Sequence, residues 1–285
     1  MATVAVVGLG AMGRALTTRL LGTGHEVVVW NRSPGPVEEA VDEGASAAST
    51  AADAASRAEF VLTMIADPAA LLAVTDGPDG VLAGADPGSA LLQMATVGPD
   101  PVLALAERLP AGVDLVDCPV LGSISEATDG TLSVFVGGDP ERGAPVLSSL
   151  GRIVPVGPIG AGSAAKLVAN STLFGVLGVL GEALALGDGL GLSREATWEV
   201  LAASPLAAQA ERRRGPLEAG EAPLRFGLAL AGKDADLVVE AAGAAGLSLP
   251  LAEAARGWLA DAIASGRGDD DYSTILAHIV ASASG

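Results

Sequence analysis

The first half of the chain alternates short apolar runs with segments of helical periodicity. Val4–Val7 predicts a strand, Arg14–Leu21 a helix and Glu26–Trp30 a second strand. A strand–helix–strand unit of about 30 residues has the size of a βαβ crossover. More strands are predicted at 60–65, 90–94, 113–117, 131–136 and 153–156, with a helix at 101–109. This alternation predicts an α/β fold with a mostly parallel, doubly wound sheet of the Rossmann type.

The pattern becomes purely helical in the second half of the chain. Residues 165–186 form one long helical stretch, and shorter helices are predicted at 194–203, 233–245, 251–264 and 273–281. Proline residues punctuate these segments. Residues 173–192 are apolar but include Glu182 and Asp188, so we interpret them as a buried helix and not as a membrane span. We therefore predict a sheet domain over residues 1–161 and an all-helical domain over residues 162–285.

A glycine-rich turn follows the first predicted strand and opens the first predicted helix. It reads Gly8-Leu9-Gly10-Ala11-Met12-Gly13. In a βαβ unit, the first glycine permits a tight turn, the second lets the backbone approach a pyrophosphate, and the third lets the helix pack closely on the strand. The helix N-terminus offers N–H groups and a partial positive charge to the anion. The pattern predicts a dinucleotide site, the alternative being a glycine-rich turn in an unrelated α/β protein.

The end of the second predicted strand bears on the choice between NAD and NADP. An acidic side chain there would accept a hydrogen bond from the ribose 2′-hydroxyl and favour NAD. This chain has Asn31, Arg32 and Ser33 instead. The Arg32 guanidinium can bind a 2′-phosphate with a planar fork, and the Ser33 hydroxyl can donate to it. We therefore expect NADP(H) to be preferred over NAD(H), with an ordinary surface arginine as the alternative reading of Arg32.

Composition and charge narrow the classes of partner. The 285 residues are 50% hydrophobic and carry a net charge of −18, which disfavours nucleic acid and anionic membranes as partners. We interpret the one basic cluster, Arg212-Arg213-Arg214, as a solvated helix face. The single cysteine, Cys118, excludes an intramolecular disulfide and a cysteine-based zinc site, and no metal site is predicted. With no basic leader at the N-terminus, we expect a cytoplasmic protein.

Several motifs, taken in order along the chain, resemble the β-hydroxyacid dehydrogenase family of 3-hydroxyisobutyrate, tartronate-semialdehyde and glyoxylate/succinic-semialdehyde enzymes. After the glycine-rich turn they are Gly24-His25-Glu26-Val27, Asp117-Cys118-Pro119-Val120-Leu121-Gly122-Ser123, Gly160-Ala161-Gly162-Ser163-Ala164-Ala165-Lys166-Leu167-Val168-Ala169-Asn170 and Lys233-Asp234. The resemblance covers nearly the whole chain. It implies an NAD(P)-dependent oxidoreductase that interconverts a small hydroxyacid and its aldehyde or keto form by hydride transfer. It also implies a homodimer or homotetramer.

By this resemblance Lys166 is the catalytic lysine. The chemistry is reasonable on its own, because hydride delivery to a carbonyl leaves negative charge on oxygen, which an ammonium group stabilises and protonates. Asn170 lies four residues later, on the same helix face, where it can orient the substrate or Lys166. The alternatives are a helix-surface lysine and an amide that caps a nearby loop.

The resemblance also places residues around the nicotinamide. Thr96 resembles a family position near the nicotinamide ribose, and Met64 and Ile65 resemble a loop that lines the cofactor. Lys233 resembles a residue that reaches toward the nicotinamide. For Met64 the alternative is a plain core position, and for Lys233 a surface lysine at a helix start.

The substrate loop departs from the family pattern. The family usually has Ser-Gly-Gly or Ser-Gly-Ser where this chain has Leu121-Gly122-Ser123, and there the serine and the following N–H groups hold the substrate carboxylate. Gly122 and Ser123 retain the backbone donors and one hydroxyl, whereas Leu121 adds apolar bulk. A less polar carbonyl compound or a bulkier acid is therefore an alternative substrate. An imine reductase of the same architecture, a class that typically lacks the lysine, and a non-catalytic NADP-binding protein are the rival functions.

Overall fold

The computed structural model describes residues 1–220 and 222–283. The chain divides into two compact units, Met1–Leu167 and Val168–Gly285. The division falls inside a long helix, a little beyond the boundary expected after residue 161. The first turns of that helix belong to the sheet unit because they pack on strand ends, where a Cβ on Gly162 would lie 2.2 Å from the Asp117 carbonyl oxygen.

Within the described residues, nine strands form one sheet in the first unit. They are β1 (Thr3–Val7), β2 (Glu26–Trp30), β3 (Ser46–Ala47), β4 (Phe60–Thr63), β5 (Ala90–Gln93), β6 (Asp114–Asp117), β7 (Val120–Leu121), β8 (Leu132–Gly137) and β9 (Gly151–Gly157). Their order is β3-β2-β1-β4-β5-β6-β8-β7, with β9 beside β8. Neighbours from β3 to β6 pair in parallel, as do β8 and β9, while β8 runs antiparallel to β6 and β7. The prediction of a mostly parallel sheet is confirmed.

Helices cover both faces of this sheet. They are α1 (Ala11–Gly22), α2 (Gly35–Asp42), α3 (Ala51–Ser56), α4 (Pro68–Thr75), α5 (Val81–Gly84), α6 (Pro99–Ala106), α7 (Ile124–Asp129) and α8 (Pro140–Leu150). Successive side chains of a strand point to opposite faces. Accordingly Val4 and Val6 of β1 join a core built with α1 and α8, while Ala5 and Val7 join a second core built with α3 and α6. Two cores on one sheet confirm the doubly wound arrangement.

The second unit is helical, as expected. The long helix α9 (Ala161–Gly189) leads into α10 (Arg194–Ala202), α11 (Ala207–Ala219), α12 (Leu228–Ala244), α13 (Pro250–Ala262) and α14 (Ile275–Ala283). A kinked segment at Ile263–Arg267, where Gly266 has φ +86°, and a 3-10 turn at Tyr272–Thr274 lie between the last two helices. Phe174, Leu177, Leu180 and Leu184 of α9 recur at helical spacing and form the centre of its core. By length and composition α9 is apolar enough to cross a membrane, but half of its most apolar stretch is buried inside the protein.

The basic cluster at 212–214 lies on α11, a helix that the sequence pattern did not predict. Arg213 is only 5% exposed, so the interpretation of the cluster as a solvated face is wrong for this residue. Its Nη2 donates to the Tyr272 hydroxyl at 2.5 Å, and its guanidinium carbon lies 4.9 Å from the ring centroid. Stacking on an aromatic face satisfies a planar guanidinium inside a core, which a charge pattern along the sequence does not reveal.

Candidate active site

The carboxyl ends of five parallel strands form one row in the first unit. Strand register places Trp30, Val7, Thr63, Gln93 and Asp117 side by side. The loops that follow these residues therefore leave the sheet at the same edge. The strand order reverses at β1, and ligands of open α/β sheets bind outside the carboxyl ends of the strands at such a switch point. The predicted cofactor loops lie at this edge.

The glycine-rich turn follows β1 and needs glycine at its first and last positions. Gly8 has φ +101°, and a Cβ there would lie 2.2 Å from the Met64 carbonyl oxygen. A Cβ on Gly13 would lie 2.0 Å from the Gly8 carbonyl oxygen. Close packing thus holds α1 against the turn, and the turn against the loop after β4.

Gly10 differs from these two glycines. It caps α1 in an extended conformation, with no side-chain hydrogen bond to the helix and no acidic residue in the first turn. No protein atom lies within 4 Å of a Cβ built on it. The first turn of α1 therefore begins beside open space at Gly10 and has neither a side-chain cap nor a carboxylate of its own. The residues present fit the pyrophosphate of a dinucleotide.

Asn31 connects the end of β2 to the glycine-rich turn. Its Oδ1 accepts from the Leu9 N–H at 3.0 Å, and its Nδ2 donates to the Ser33 carbonyl at 3.1 Å and to the Ser33 Oγ at 2.9 Å. Arg32 and Ser33 are exposed beside it. Asn31 thus shapes the turn through its amide, while Arg32 and Ser33 are accessible to a ligand.

Met64 and Ile65 follow β4 and are half-buried. The Met64 N–H continues the sheet with a 2.9 Å hydrogen bond to the Val7 carbonyl. Both side chains also pack against the cores of the sheet unit. This packing supports the alternative role of Met64 as a core residue, and its half-burial is compatible with the predicted role in lining the cofactor site.

The loop after β5 carries Thr96 and is shaped by Gln93, which was not among the predicted site residues. The buried Gln93 side chain accepts from the Ala95 N–H and donates to the Ala95 carbonyl, both at 2.8 Å, and it lies 3.3 Å from the Thr63 hydroxyl. Thr96 is half-buried at the start of this loop. A polar residue at the end of an apolar strand was the available signal for Gln93.

Asp117 anchors the start of α9 to the end of β6. Its fully buried carboxylate accepts from the Ser163 N–H at 2.8 Å and from the Ser163 hydroxyl at 2.7 Å. Burial raises the pKa of the Asp117 carboxyl, against the opposing effect of hydrogen bonds from Ser163, Gly160 and Gly162. Lys166 follows three residues after Ser163 and is half-buried. The carboxylate thus satisfies helix N–H groups and holds the turn before Lys166 on the sheet edge.

Cys118 follows Asp117 at the end of β6. It is completely buried, and burial together with the Asp117 charge raises the pKa of its thiol. The thiolate form is therefore disfavoured. Among residues 1–220 and 222–283 there is also no cluster of three or more histidine, cysteine or acidic side chains that would hold a metal ion.

The predicted substrate loop lies between β7 and α7. Leu121 is 39% exposed, and Gly122 has φ +145°, with Leu132 and Glu126 packed against it. Ser123 is the N-cap of α7, and its N–H donates to Glu126 Oε2 at 2.9 Å. Its hydroxyl donates to the same oxygen. Glu126 was not among the predicted site residues, although serine followed three residues later by glutamate is the signature of a capping box.

Asn170 and Lys233 converge on one buried carboxylate in the second unit. Asn170 Nδ2 donates to Asp234 Oδ2 at 2.8 Å, and Lys233 Nζ lies 2.5 Å from Asp234 Oδ1. Asn170 and Asp234 are nearly inaccessible, and Lys233 is partly buried. Asp234 belongs to the Lys233-Asp234 motif of the family resemblance, but no feature of the neighbouring sequence connects it with Asn170.

Comparison with known families accounts for nearly the whole chain. Residues 3–157 match the NAD binding domain of 6-phosphogluconate dehydrogenase, and residues 160–279 match the NAD-binding domain of NADP-dependent 3-hydroxyisobutyrate dehydrogenase. Glyoxylate/succinic semialdehyde reductase 1 of Arabidopsis thaliana is 31% identical over 96% of this chain and 96% of its own length.

The chain belongs to the β-hydroxyacid dehydrogenase family. It is therefore an NAD(P)-binding oxidoreductase of the hydroxyacid dehydrogenase type.

Solved structures agree with membership of the β-hydroxyacid dehydrogenase family. The Mycobacterium tuberculosis 3-hydroxyisobutyrate dehydrogenase, solved with L-serine, is 30% identical, has a TM-score of 0.87 and covers 98% of this chain and 99% of its own. An imine reductase from Myxococcus stipitatus, solved with NAD+, has a TM-score of 0.66 at 20% identity and covers 98% of this chain and 99% of its own. The second likeness concerns the fold alone.

Proposed function

We propose that this β-hydroxyacid dehydrogenase transfers hydride between NADP(H) and a small hydroxyacid or its aldehyde or keto form, with Lys166 as the general acid and base. The observation that carries the proposal is the anchor between Asp117 and Ser163. It ties the turn before Lys166 to β6, whose carboxyl end lies in the same row as the end of β1, where the glycine-rich turn begins.

Lys166 carries the proton chemistry in this proposal. When bound, the nicotinamide supplies or accepts the hydride. In the reducing direction the Lys166 ammonium donates a hydrogen bond to the substrate oxygen, stabilises the negative charge that develops there and gives up a proton. In the oxidising direction the neutral amine accepts the hydroxyl proton. Lys166 is half-buried, so part of its side chain is shielded from bulk water.

Asn170 orients the reacting groups in our proposal, because it follows Lys166 by four residues on α9 and so shares its helix face. Its hydrogen bond to Asp234 sets the direction of the amide, and Lys233 Nζ lies beside the other oxygen of that carboxylate. Asp234 is therefore a positioning residue, and Lys233 is the cation that we assign to the nicotinamide end of the cofactor.

The preference for NADP(H) rests on the residues after β2. Asn31, Arg32 and Ser33 include no carboxylate that would repel a 2′-phosphate, and Arg32 and Ser33 are exposed. The guanidinium and hydroxyl supply charge-assisted hydrogen bonds to a phosphate. The glycine-rich turn binds the pyrophosphate in either cofactor, so the preference depends on these residues alone.

We also propose a homodimer or homotetramer. Val168, Val179 and Leu186 of α9 are 65%, 41% and 62% exposed in the single chain. Exposed apolar side chains that recur along one helix are typical of a surface that another chain covers. Light scattering coupled to size-exclusion chromatography tests this, and a monomer at micromolar concentration would contradict it.

The deciding experiment is a turnover assay with NADPH on glyoxylate, succinic semialdehyde and a cyclic imine. We expect reduction of a carbonyl substrate and its loss in Lys166→Ala. Reduction of the imine alone would replace the proposal with an imine reductase. NADPH binding without turnover of any compound would favour a non-catalytic NADP-binding protein.

A further inference from the structure

Gln93 connects two of the loops that leave the sheet at the carboxyl ends of its strands. It is the last residue of β5, and strand register sets it beside Thr63, the last residue of β4. Its Nε2 donates to the Ala95 carbonyl and its Oε1 accepts from the Ala95 N–H, both at 2.8 Å. The Thr63 hydroxyl donates to the same Oε1 at 3.3 Å. One side chain thus holds the end of β4 and the start of the loop that carries Thr96.

Water has little access to these hydrogen bonds. Thr63 and Gln93 are completely buried, and Ala95 is only 1% exposed. A buried N–H or carbonyl group that loses its partner is destabilised, and solvent has little room to replace the Gln93 amide here. The conformation of the chain at Ala95 therefore depends on this amide.

The end of β4 also contacts the glycine-rich turn. Met64, which follows β4, donates its N–H to the Val7 carbonyl at 2.9 Å. The Met64 carbonyl lies so close to Gly8 that a Cβ built there would be 2.2 Å from its oxygen. The Gln93 side chain is therefore part of a continuous set of contacts. These contacts run from the glycine-rich turn, through the end of β4, to the loop after β5.

We propose that Gln93 is a positioning residue for the nicotinamide half of the cofactor. Thr96 and Met64 are residues that we assign to that half, whereas the glycine-rich turn binds the pyrophosphate. Gln93 acts through the residue that precedes each of them in the chain. Its loss should therefore loosen the nicotinamide end and leave the binding of the adenosine and pyrophosphate parts nearly unchanged. This inference rests on the proposed function, in which the chain binds NADP(H) with these two loops around the nicotinamide.

The test compares NADPH with 2′-phospho-ADP-ribose, which lacks the nicotinamide but is otherwise the same molecule. Isothermal titration calorimetry measures both dissociation constants for the wild type and for Gln93→Met, which keeps the length of the side chain without its amide. We expect the dissociation constant of NADPH to rise by about fivefold, the value of about one net hydrogen bond, and that of 2′-phospho-ADP-ribose to change by less than about twofold. The fluorescence emission of bound NADPH should shift toward that of the free cofactor, because the nicotinamide is held less firmly.

Ser89→Ala is the matched control. Ser89 is also buried and lies at the other end of β5, where its hydroxyl donates to the Asp86 carbonyl at 2.8 Å. Its replacement should lower the melting temperature without changing the ratio of the two dissociation constants or the emission of bound NADPH. Thr63→Val removes only the hydroxyl that donates to Gln93, so it should shift the ratio in the same direction by a smaller amount. This variant carries the test if Gln93→Met does not fold.

A lower melting temperature in Gln93→Met with an unchanged ratio and emission would overturn the inference, because Gln93 would then only stabilise the fold. Equal weakening of both ligands, or the same change of ratio in Ser89→Ala, would overturn it as well. If Gln93→Met does not fold, an unchanged ratio in Thr63→Val has the same consequence. Turnover of the carbonyl compounds is measured in parallel. A wild type that binds NADPH but reduces none of them would refute the proposed function, while the ratio still decides the role of Gln93.

Discussion

Asn170 and Asp234 are joined by a 2.8 Å hydrogen bond between two buried side chains that lie 64 positions apart in the chain. The same carboxylate pairs with its neighbour Lys233. One acidic group thus orients both residues of the second unit to which we assign roles in the reaction. Burying a carboxylate destabilises the folded protein unless the carboxylate stays paired or hydrogen-bonded, so removing one partner is costly.

Replacing Asp234 should therefore damage both stability and turnover. In Asp234→Ala the buried Asn170 amide loses its acceptor, and we expect the free energy of unfolding to fall by about 1–3 kcal/mol. Urea denaturation measures this, and kcat at saturating substrate measures the loss of positioning. Asp234→Asn should recover part of kcat. Asp236→Ala, which removes an exposed carboxylate from the same helix, should leave both quantities unchanged, and equal effects at the two positions would contradict this role.

Lys166→Ala should abolish most of the activity without affecting cofactor binding. Loss of a general acid lowers kcat by about 10²–10⁴-fold. The dissociation constant for NADPH, measured by fluorescence titration, should remain near the wild-type value because the glycine-rich turn is untouched. Lys166→Arg keeps the charge but does not release its proton at neutral pH, so it should be nearly as inactive. Substantial turnover in either variant would remove Lys166 from the mechanism.

Gly10 and Gly13 should respond differently to the same substitution. A Cβ on Gly10 meets no protein atom, so Gly10→Ala should keep the wild-type melting temperature but weaken NADPH binding. A Cβ on Gly13 would lie 2.0 Å from the Gly8 carbonyl oxygen, so Gly13→Ala should lower the melting temperature by separating α1 from the turn. Differential scanning calorimetry and NADPH titration separate the two effects. Unchanged NADPH affinity in Gly10→Ala would place the pyrophosphate elsewhere.

Arg32→Ala should weaken the use of NADPH selectively. Charge-assisted hydrogen bonds to a phosphate contribute about 1.5–3 kcal/mol, so kcat/KM for NADPH should fall by about tenfold or more while that for NADH changes little. Arg14, another exposed arginine of this unit that pairs with Glu39 at 2.7 Å, provides the control in Arg14→Ala. A wild-type enzyme that prefers NADH would contradict the prediction at the outset.

The Glu126 carboxyl should make folding stability depend on pH in the acid range. Its pKa is lowered in the folded state to about 2 from 4.5. The stabilisation is therefore complete above about pH 4.5 and is lost as the pH falls through 2. The difference in free energy of unfolding between the wild type and Glu126→Gln should be constant above pH 5 and shrink between about pH 4.5 and 2. The raised pKa of Asp117 makes stability depend on pH in the opposite direction. Because Asp117 is present in both proteins, its contribution cancels in the difference. A difference that grows on acidification would contradict this assignment.

The alternation of strands and helices in the first unit, and the helical character of the second, could be predicted because they depend on local patterns. Apolar runs and the glycine-rich turn locate β1, α1 and β2 to within a few residues. Several elements were not predicted, because short, alanine-rich or charged segments carry weak periodicity: the helices α2, α3, α4, α5, α7, α8 and α11 and the two-residue strands β3 and β7. The capping box of Ser123 and Glu126 was also local and could have been found from its spacing. Nothing in the spacing, however, showed that it would engage the donors of the substrate loop.

The sequence by itself determined the sheet class, the dinucleotide turn and the family, because each is encoded by residues close together in the chain. Only the tertiary structure showed that Asp117 caps α9 and that Asp234 serves both Asn170 and Lys233. It alone also showed that Arg213 is buried on Tyr272. Apart from the pair Lys233 and Asp234, which are neighbours in the chain, these relationships join residues 46 to 64 positions apart. A buried carboxylate or guanidinium finds its partners by the packing of strands and helices, and no local pattern records which partners that packing brings near.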